Sequence, residues 1–272
     1  MKNKKNHWSL WMISDSLHNA KDNKYDLIHF EEIDSTNEEA KRRFLKGEKE
    51  PVLLWADYQS AGKGRNGRSF YSPHDTGIYF SYLHVQEGRG EMNNLIFVTT
   101  AAAVFVADAL NTYAGADAKI KWVNDIYQNE KKVCGILAEA VFDEESTGIV
   151  VGIGINLTTE EFPDDIKELA SGVGFFGKEK LTEIKENILK HAGSSFAEFF
   201  ENCDSKEYRK QVLEKYRSLS LVIGKEVSFY KLDTEEKKGI ATAIEEDGSL
   251  IVTMPDGSRE RLASGEIHLR FS

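Results

Sequence analysis

From Leu95 to Leu110 the chain is almost without polarity: only Thr99, Thr100 and Asp108 interrupt a run of Leu, Ile, Phe, Val and Ala. With its flanks, the stretch from Asn93 to Tyr113 reads as one Ala-rich helix with no wet face, which the remaining chain must cover. The three polar interruptions argue against a membrane span. Covering such a helix takes apolar material, and 272 residues that are 40% hydrophobic and 11% aromatic supply it. The same figures exclude disorder, collagen and coiled coil as descriptions of the whole. At about 150 residues per domain, the length suits one large domain or one plus a small one.

Tyr25 to Ile33 reads as a strand. Asp34-Ser35-Thr36-Asn37-Glu38-Glu39 then opens a helix, and Ser35 with Glu38, or Thr36 with Glu39, has capping-box spacing. Strands are expected over Pro51 to Tyr58, Gly77 to Val85, Ala118 to Trp122, Lys132 to Phe142 and Gly148 to Leu157, the last two joined as a hairpin. Helical patterns return at Asp164–Ala170, Leu181–Phe200 and Lys206–Ser218. From Leu221 to Phe271 only short β runs remain, separated by Gly224, Asp247-Gly248 and Asp256-Gly257. The expected organisation is an arm over residues 1–24, an α+β domain over 25–218 and a small antiparallel β module over 219–272.

Thirty-five Lys and Arg stand against 45 Asp and Glu, a net charge of −10. That balance argues against a protein whose main task is gripping phosphate backbones, although a basic pocket can sit inside an acidic surface. Cys134 and Cys203 are too few for a disulfide framework and read as reduced thiols. Neither C-x-x-C nor H-E-x-x-H occurs, so no metal ligands are assigned. The opening residues lack a signal-type apolar core and cleavage site, and the expected compartment is the cytoplasm.

Three segments carry chemistry. Gly62-Lys63-Gly64-Arg65-Asn66-Gly67-Arg68 places three cations among three glycines with no acid between them. It is either a solvated basic loop or a cradle for an anion such as a phosphate ester or carboxylate. It is not a P-loop, since no G-K-[ST] follows. Lys121 lies in the alternating run Ile120-Lys121-Trp122, where it either snorkels to solvent or meets an anion. Gly152-Ile153-Gly154-Ile155-Asn156 sets two glycines inside an apolar strand. They mark close packing or the approach of a flat ligand, and Asn156 is a turn former or a partner for a base edge. The seven histidines are scattered.

Taken in order, Asp34-Ser35-Thr36-Asn37, Ala61–Arg68, Lys121-Trp122-Val123-Asn124-Asp125, Gly135-Ile136-Leu137-Ala138-Glu139 and Gly152–Leu157 resemble the biotin–protein ligase family from about Tyr25 to the C-terminus. Lys63 replaces the family's usual Arg, Phe70 its Trp and Val123 its Pro. Lys63 keeps the charge without the guanidinium fork, and Phe70 keeps an aromatic face without the indole donor. The resemblance implies a mixed-sheet catalytic domain of the biotin/lipoate ligase type followed by a small SH3-like β-barrel. It also implies ATP and biotin as substrates, Mg²⁺ on the triphosphate, and a biotin carboxyl carrier domain as the acceptor.

By the same likeness, Ser35, Thr36, Asn37, Gln59, Lys63, Gly64, Arg65 and Lys121 surround biotin. Arg65, Arg68, Phe70, Lys121 and Asn156 face ATP or the adenylate, and Lys121 and Arg65 act in catalysis. Residues 1–24 are too few for the winged helix that some members carry, so a ligase without DNA binding is expected. A homodimer is left open. A lipoate or octanoate transferase is the rival within the superfamily, and a non-catalytic nucleotide-binding module the rival outside it.

Overall fold

The computed structural model describes residues 24–88, 95–230, 236–263 and 267–269. The arm expected over 1–24 lies outside the described residues apart from Lys24. In chain order the elements are β1 (Asp26–Ile33), α1 (Thr36–Leu45), β2 (Val52–Gln59), β3 (Gly77–Glu87), α2 (Leu95–Tyr113), β4 (Lys119–Lys121), β5 (Asp125–Gln128), β6 (Lys131–Phe142) and β7 (Ser146–Asn156). They continue with α3 (Lys178–Asn202), α4 (Lys206–Leu219), β8 (Glu226–Phe229), β9 (Lys237–Ile244), β10 (Leu250–Thr253), β11 (Arg259–Leu262) and β12 (Ile267–Leu269).

β1 to β7 form a seven-stranded mixed sheet in the order β1-β2-β3-β7-β6-β5-β4. β1 and β2 run parallel because α1 carries the chain back between them, and the other neighbours are antiparallel. Strand alternation divides the side chains between two layers. Leu53, Trp55, Phe80, Tyr82, Val151 and Ile153 face the helices α2, α3 and α4 in the larger core. Val52, Leu54, Leu83 and Val150 face the other way and meet Ala40 and Phe44 of α1.

The apolar helix α2 is the centre of that larger core, buried almost continuously from Phe97 to Leu110. By length and composition it could cross a membrane; here the sheet and two helices cover it. Its two interior threonines cost little, because each hydroxyl donates at 2.8 Å to a carbonyl one turn back, Leu95 O and Ile96 O. Asp108, at its exposed margin, pairs with Lys215 of α4 at 2.9 Å. Across it, Phe196 and Phe199 of α3 pack edge-on to Phe105, with ring centroids 5.6 and 6.1 Å away.

The last five strands form an antiparallel sheet in the order β11-β10-β9-β8-β12, in keeping with a small SH3-like module. It is tied to the first sheet by polar contacts. The Leu221 N–H donates to Ile120 O at 2.8 Å, and the Arg217 guanidinium donates twice to Ile244 O, at 2.9 and 2.6 Å. The Trp122 indole N–H donates to Gly248 O at 2.9 Å. Gly248 sits in the left-handed region at φ 87, and a Cβ there would crowd Ile96 and Thr100 of α2.

Two local expectations are corrected. Residues 164–170 form turns, not a helix. Leu169 is 63% exposed, so the segment has no apolar face to bury. The Leu169 carbonyl is also drawn into a bridge with Lys132, whose N–H donates to it at 2.9 Å. The capping box does not form either: the Ser35 side chain makes no cap bond. Glu38 pairs instead with Lys41, and Glu39 with Arg42 and Arg43.

Tyr25 lies directly over Gly193 of α3, where any Cβ would overlap its ring. Gly193→Ala should therefore destabilise the protein by about 1–3 kcal/mol, although alanine is the better helix former. Thermal unfolding should fall by several degrees; a rise would show that the Tyr25 ring is not confined.

Candidate active site

Period-two alternation puts Gly148, Val150, Gly152, Gly154 and Asn156 of β7 on the α1 side of the sheet. Register pairs Gly154 with Gly135, and Gly152 with Leu137, on β6. The three glycines 135, 152 and 154 thus leave a depression in the sheet, and side chains from elsewhere lie in it. A Cβ on Gly152 would overlap the Asn37 amide, and one on Gly154 the Phe70 ring. Above this floor is a cavity of about 340 Å³.

One wall is the N-terminus of α1. Ser35, Thr36 and Asn37 are 1%, 3% and 4% exposed, and all three border the cavity. Gln59, at the end of β2, accepts the Thr36 N–H at 2.9 Å, and its own amide N–H donates to Ser72 Oγ at 3.0 Å. Asp34 fastens this turn from outside. Its carboxylate takes both ends of the Arg42 guanidinium at 2.8 Å and accepts the Ser35 N–H at 2.7 Å. Chiefly through the Arg42 hydrogen bonds, its pKa is held down at about 2, even though partial burial pulls the other way.

The second wall is the glycine-rich loop, closed as a small hairpin. Gly64 N–H donates to Arg68 O at 2.8 Å, Phe70 N–H donates to Gly62 O at 2.9 Å, and Lys63 bridges Ser69. Asn66 and Gly67 turn the tip with φ of 55 and 73. From that tip Arg65 Nη1 donates to Asn124 Oδ1 at 2.9 Å, while the Asn124 amide N–H donates to Ile136 O at 2.8 Å. Lys63, Gly64, Arg68 and Phe70 also border the cavity.

The third wall comes from β4 to β6. Lys121 Nζ lies 3.4 Å from Tyr127 Oη and 5.2 Å from the centre of its ring. Lys132 pairs with Asp125 at 2.7 Å. Around the whole cavity, Lys63, Arg65, Arg68, Lys121 and Lys132 face a single carboxylate, that of Asp125. In a protein of net charge −10 this is a concentrated positive site, suited to holding two anions together.

Family comparison agrees with this geometry. Residues 29–156 match the biotin/lipoate A/B protein ligase family, and residues 222–270 match the biotin protein ligase C terminal domain. The solved biotin protein ligase of Aquifex aeolicus in complex with biotin and ATP is 29% identical. It superposes with a TM-score of 0.70 over 91% of this chain and 99% of that one. The chain belongs to the biotin protein ligase family. Relatives include the biotin–[acetyl-CoA-carboxylase] ligase of Mycobacterium tuberculosis, 27% identical over 87% of this chain and 86% of that protein. The bifunctional ligase/repressor BirA of Bacillus subtilis is 28% identical over 89% of this chain and 74% of its own length.

Every site residue expected from sequence borders this one cavity, including Asn156 at its far end, whose Oδ1 is buried without a hydrogen-bond partner. Two readings left open by the sequence are narrowed. The glycines of β7 make room for side chains of this protein, Asn37 and Phe70. Asn37 borders the cavity, but its amide is bonded to protein atoms on both sides. Lys132 and Ser72 were not singled out in the sequence, and Asp125 appeared there only as the end of the Lys121–Asp125 segment, with no site role. Alternation counted back from Gly135 puts Val133, not Lys132, on the cavity side. A bulge between Ile126 and Tyr127 shifts the register so that Tyr127 pairs with Lys132 and re-aims the lysine.

The Asp34–Arg42 pair makes a pH prediction. The folded pKa lies below the ordinary 3.8, so the pair stabilises the protein fully above about pH 4 and loses that contribution as pH falls through about 2. Arg42→Ala should lower the melting temperature at pH 6, and the gap to the parent should narrow towards pH 2. An equal gap at both ends would show that the clamp is not electrostatic.

Proposed function

We propose that this chain is an ATP-dependent biotin–protein ligase. One observation carries the reading: the five family segments, far apart in sequence, converge on one cavity whose lining is cationic. The match over 222–270 is to the biotin ligase C-terminal domain, which favours this activity over lipoate or octanoate transfer.

The chemistry explains the charge. A biotin carboxylate oxygen attacks the α-phosphorus of ATP, the bond to the β-phosphate oxygen breaks, and pyrophosphate leaves. The resulting biotinyl-5′-AMP is a mixed anhydride. The neutral amine of a carrier lysine then attacks its carbonyl carbon, forming an amide and releasing AMP. The first step brings two anions together, so cations that meet the developing charge do most of the work.

Lys121 is assigned to bridge the carboxylate and the α-phosphate, with Lys132 beside it. Arg65 and Arg68 serve the phosphates, Phe70 offers an aromatic face, and Asn156 faces the adenine. Ser35, Thr36 and Gln59 suit the ureido ring, which presents two N–H donors and one carbonyl. Asn37 supports that group, and the Lys63–Gly64 backbone runs alongside the ligand.

Among the described residues no group of three His, Cys, Asp or Glu could hold a metal ion. That donor set suits Mg²⁺ bound through the triphosphate, with Asp125 the one lining carboxylate within the cavity. When bound there, Mg²⁺ screens phosphate charge. The proposed acceptor is the biotin carboxyl carrier domain of a carboxylase, and the proposed setting is the cytoplasm. We divide the chain at Leu219, with catalysis over 25–218 and the SH3-like module over 219–272.

Incubation with ATP, labelled biotin and a carrier domain tests the activity, and absence of carrier labelling would overturn it. Lys121→Ala should slow biotinyl-AMP formation by about 10²–10³-fold with little change in melting temperature. Normal adenylation in that variant would remove Lys121 from its role. Arg65→Gly loses the bond to Asn124 and adds a further glycine to a loop whose ordering already costs about 1–2 kcal/mol per residue. Biotinyl-AMP should still form but escape, labelling lysines on added albumin. Retention of the intermediate at the parent's rate, with albumin unlabelled, would show that Arg65 is not the latch.

A further inference from the structure

Asn37 is held by a chain of side chains that leads out of the cavity. Its amide nitrogen donates to Glu139 Oε2 at 2.9 Å and to Leu137 O at 3.4 Å, and its oxygen accepts from Ser81 Oγ at 2.6 Å. Ser81 is fully buried on β3. Glu139 lies on β6, behind Asn37 and outside the cavity lining, and Lys41 of α1 holds its other oxygen at 2.7 Å. Burial works to lower the Lys41 pKa, but the Glu139 and Glu38 carboxylates outweigh it and raise the pKa above its ordinary value. The lysine is therefore charged.

Counting protons fixes the direction of every bond in this chain. A carboxylate only accepts, so Asn37 must turn its NH₂ group to Glu139 and its oxygen to Ser81. That oxygen has no proton, so the single hydroxyl proton of Ser81 is used there. Ser81 Oγ also lies 2.7 Å from Thr36 Oγ1, and this contact is closed by the Thr36 proton. Gln59 Oε1, 3.2 Å from the same hydroxyl, is served by the Thr36 N–H. Thr36 Oγ1 is left with lone pairs and no proton to offer the cavity.

We propose that Glu139 is a positioning residue that sets hydrogen-bond polarity at this end of the cavity, so that Thr36 meets the ligand as an acceptor and selects a head group with N–H donors. On the function proposed above, that head group is the ureido ring of biotin.

Glu139→Gln tests this in the full-length protein. The new amide has the same shape but can donate as well as accept, which permits the Asn37 amide to flip and the Thr36 hydroxyl to reverse. Biotin Kd by calorimetry and biotin KM should both rise by about tenfold, the scale of one lost hydrogen bond. The KM for ATP, kcat at saturating biotin and melting temperature should stay near the parent's values. An N-methylated ureido analogue should bind the parent more weakly than biotin does, and the variant should discriminate less between the two.

General loosening of the cavity would raise both KM values and leave that discrimination unchanged. A folded Glu139→Gln protein with the parent's biotin Kd, or with an ATP KM that rises in step, would overturn the proposal. Should this variant fail to fold, Ser81→Ala removes the donor to Asn37, and the same criteria decide. A parent that binds ATP but no biotin would refute the ligase reading itself. A parent that binds biotin beside an unaffected variant refutes the polarity device alone.

Discussion

The absence of three β-carbons shapes this active site. Along β6 and β7 the sheet lacks side chains at positions 135, 152 and 154, all on one face. Asn37 enters over Gly152 and Phe70 over Gly154, at distances that no substituted strand would allow. Glycine weakens a strand, and these strands tolerate it because both lie inside the sheet, flanked by β3 on one side and β5 on the other. The N-terminus of α1 and the basic loop can thus lie close to the sheet, and the cavity is what remains between them.

Much of this was legible in the chain itself. Alternation and turn residues located the strands, and the unbroken apolarity of Leu95–Leu110 located the central helix. Lys63, Gly64, Arg65, Arg68, Lys121 and Asn156 were legible because each belongs to a contiguous segment of unusual composition: three cations among three glycines, a lysine inside an alternating run, two glycines inside an apolar strand. Ser35, Thr36, Asn37, Gln59 and Phe70 came only from the family resemblance. What escaped notice depends on pairing between distant segments. Lys132 reaches the cavity through a one-residue bulge, which strand periodicity cannot reveal. Asp34 acts by clamping Arg42 eight residues on, where local spacing favoured a capping box with Glu38 or Glu39. Residues 164–170 had helical spacing but no buried face, and the segment ends in a bridge between Ala170 and Lys132 that local spacing cannot reveal.

The charge distribution divides the molecule by location. Many of the acidic residues sit outside in exposed ion pairs with lysine and arginine, such as Lys24–Glu201 and Lys167–Asp164, which contribute little to stability. Inside the cavity the balance reverses, and one carboxylate stands among five cations. An acidic exterior around a basic pocket leaves a local well for a small anion.

Trp122 links two parts of the molecule that lie far apart in the chain. The residue borders the cavity beside Lys121, and its indole N–H is committed to the carbonyl of Gly248, in the turn between β9 and β10. The small C-terminal sheet therefore buttresses the strand end that carries the central lysine. Anyone grafting a foreign C-terminal module onto this chain would have to reproduce that turn, with a carbonyl at the same height and a residue at ease with positive φ. The seam between the two sheets lies against the strand end that borders the cavity, and the small sheet is part of its masonry.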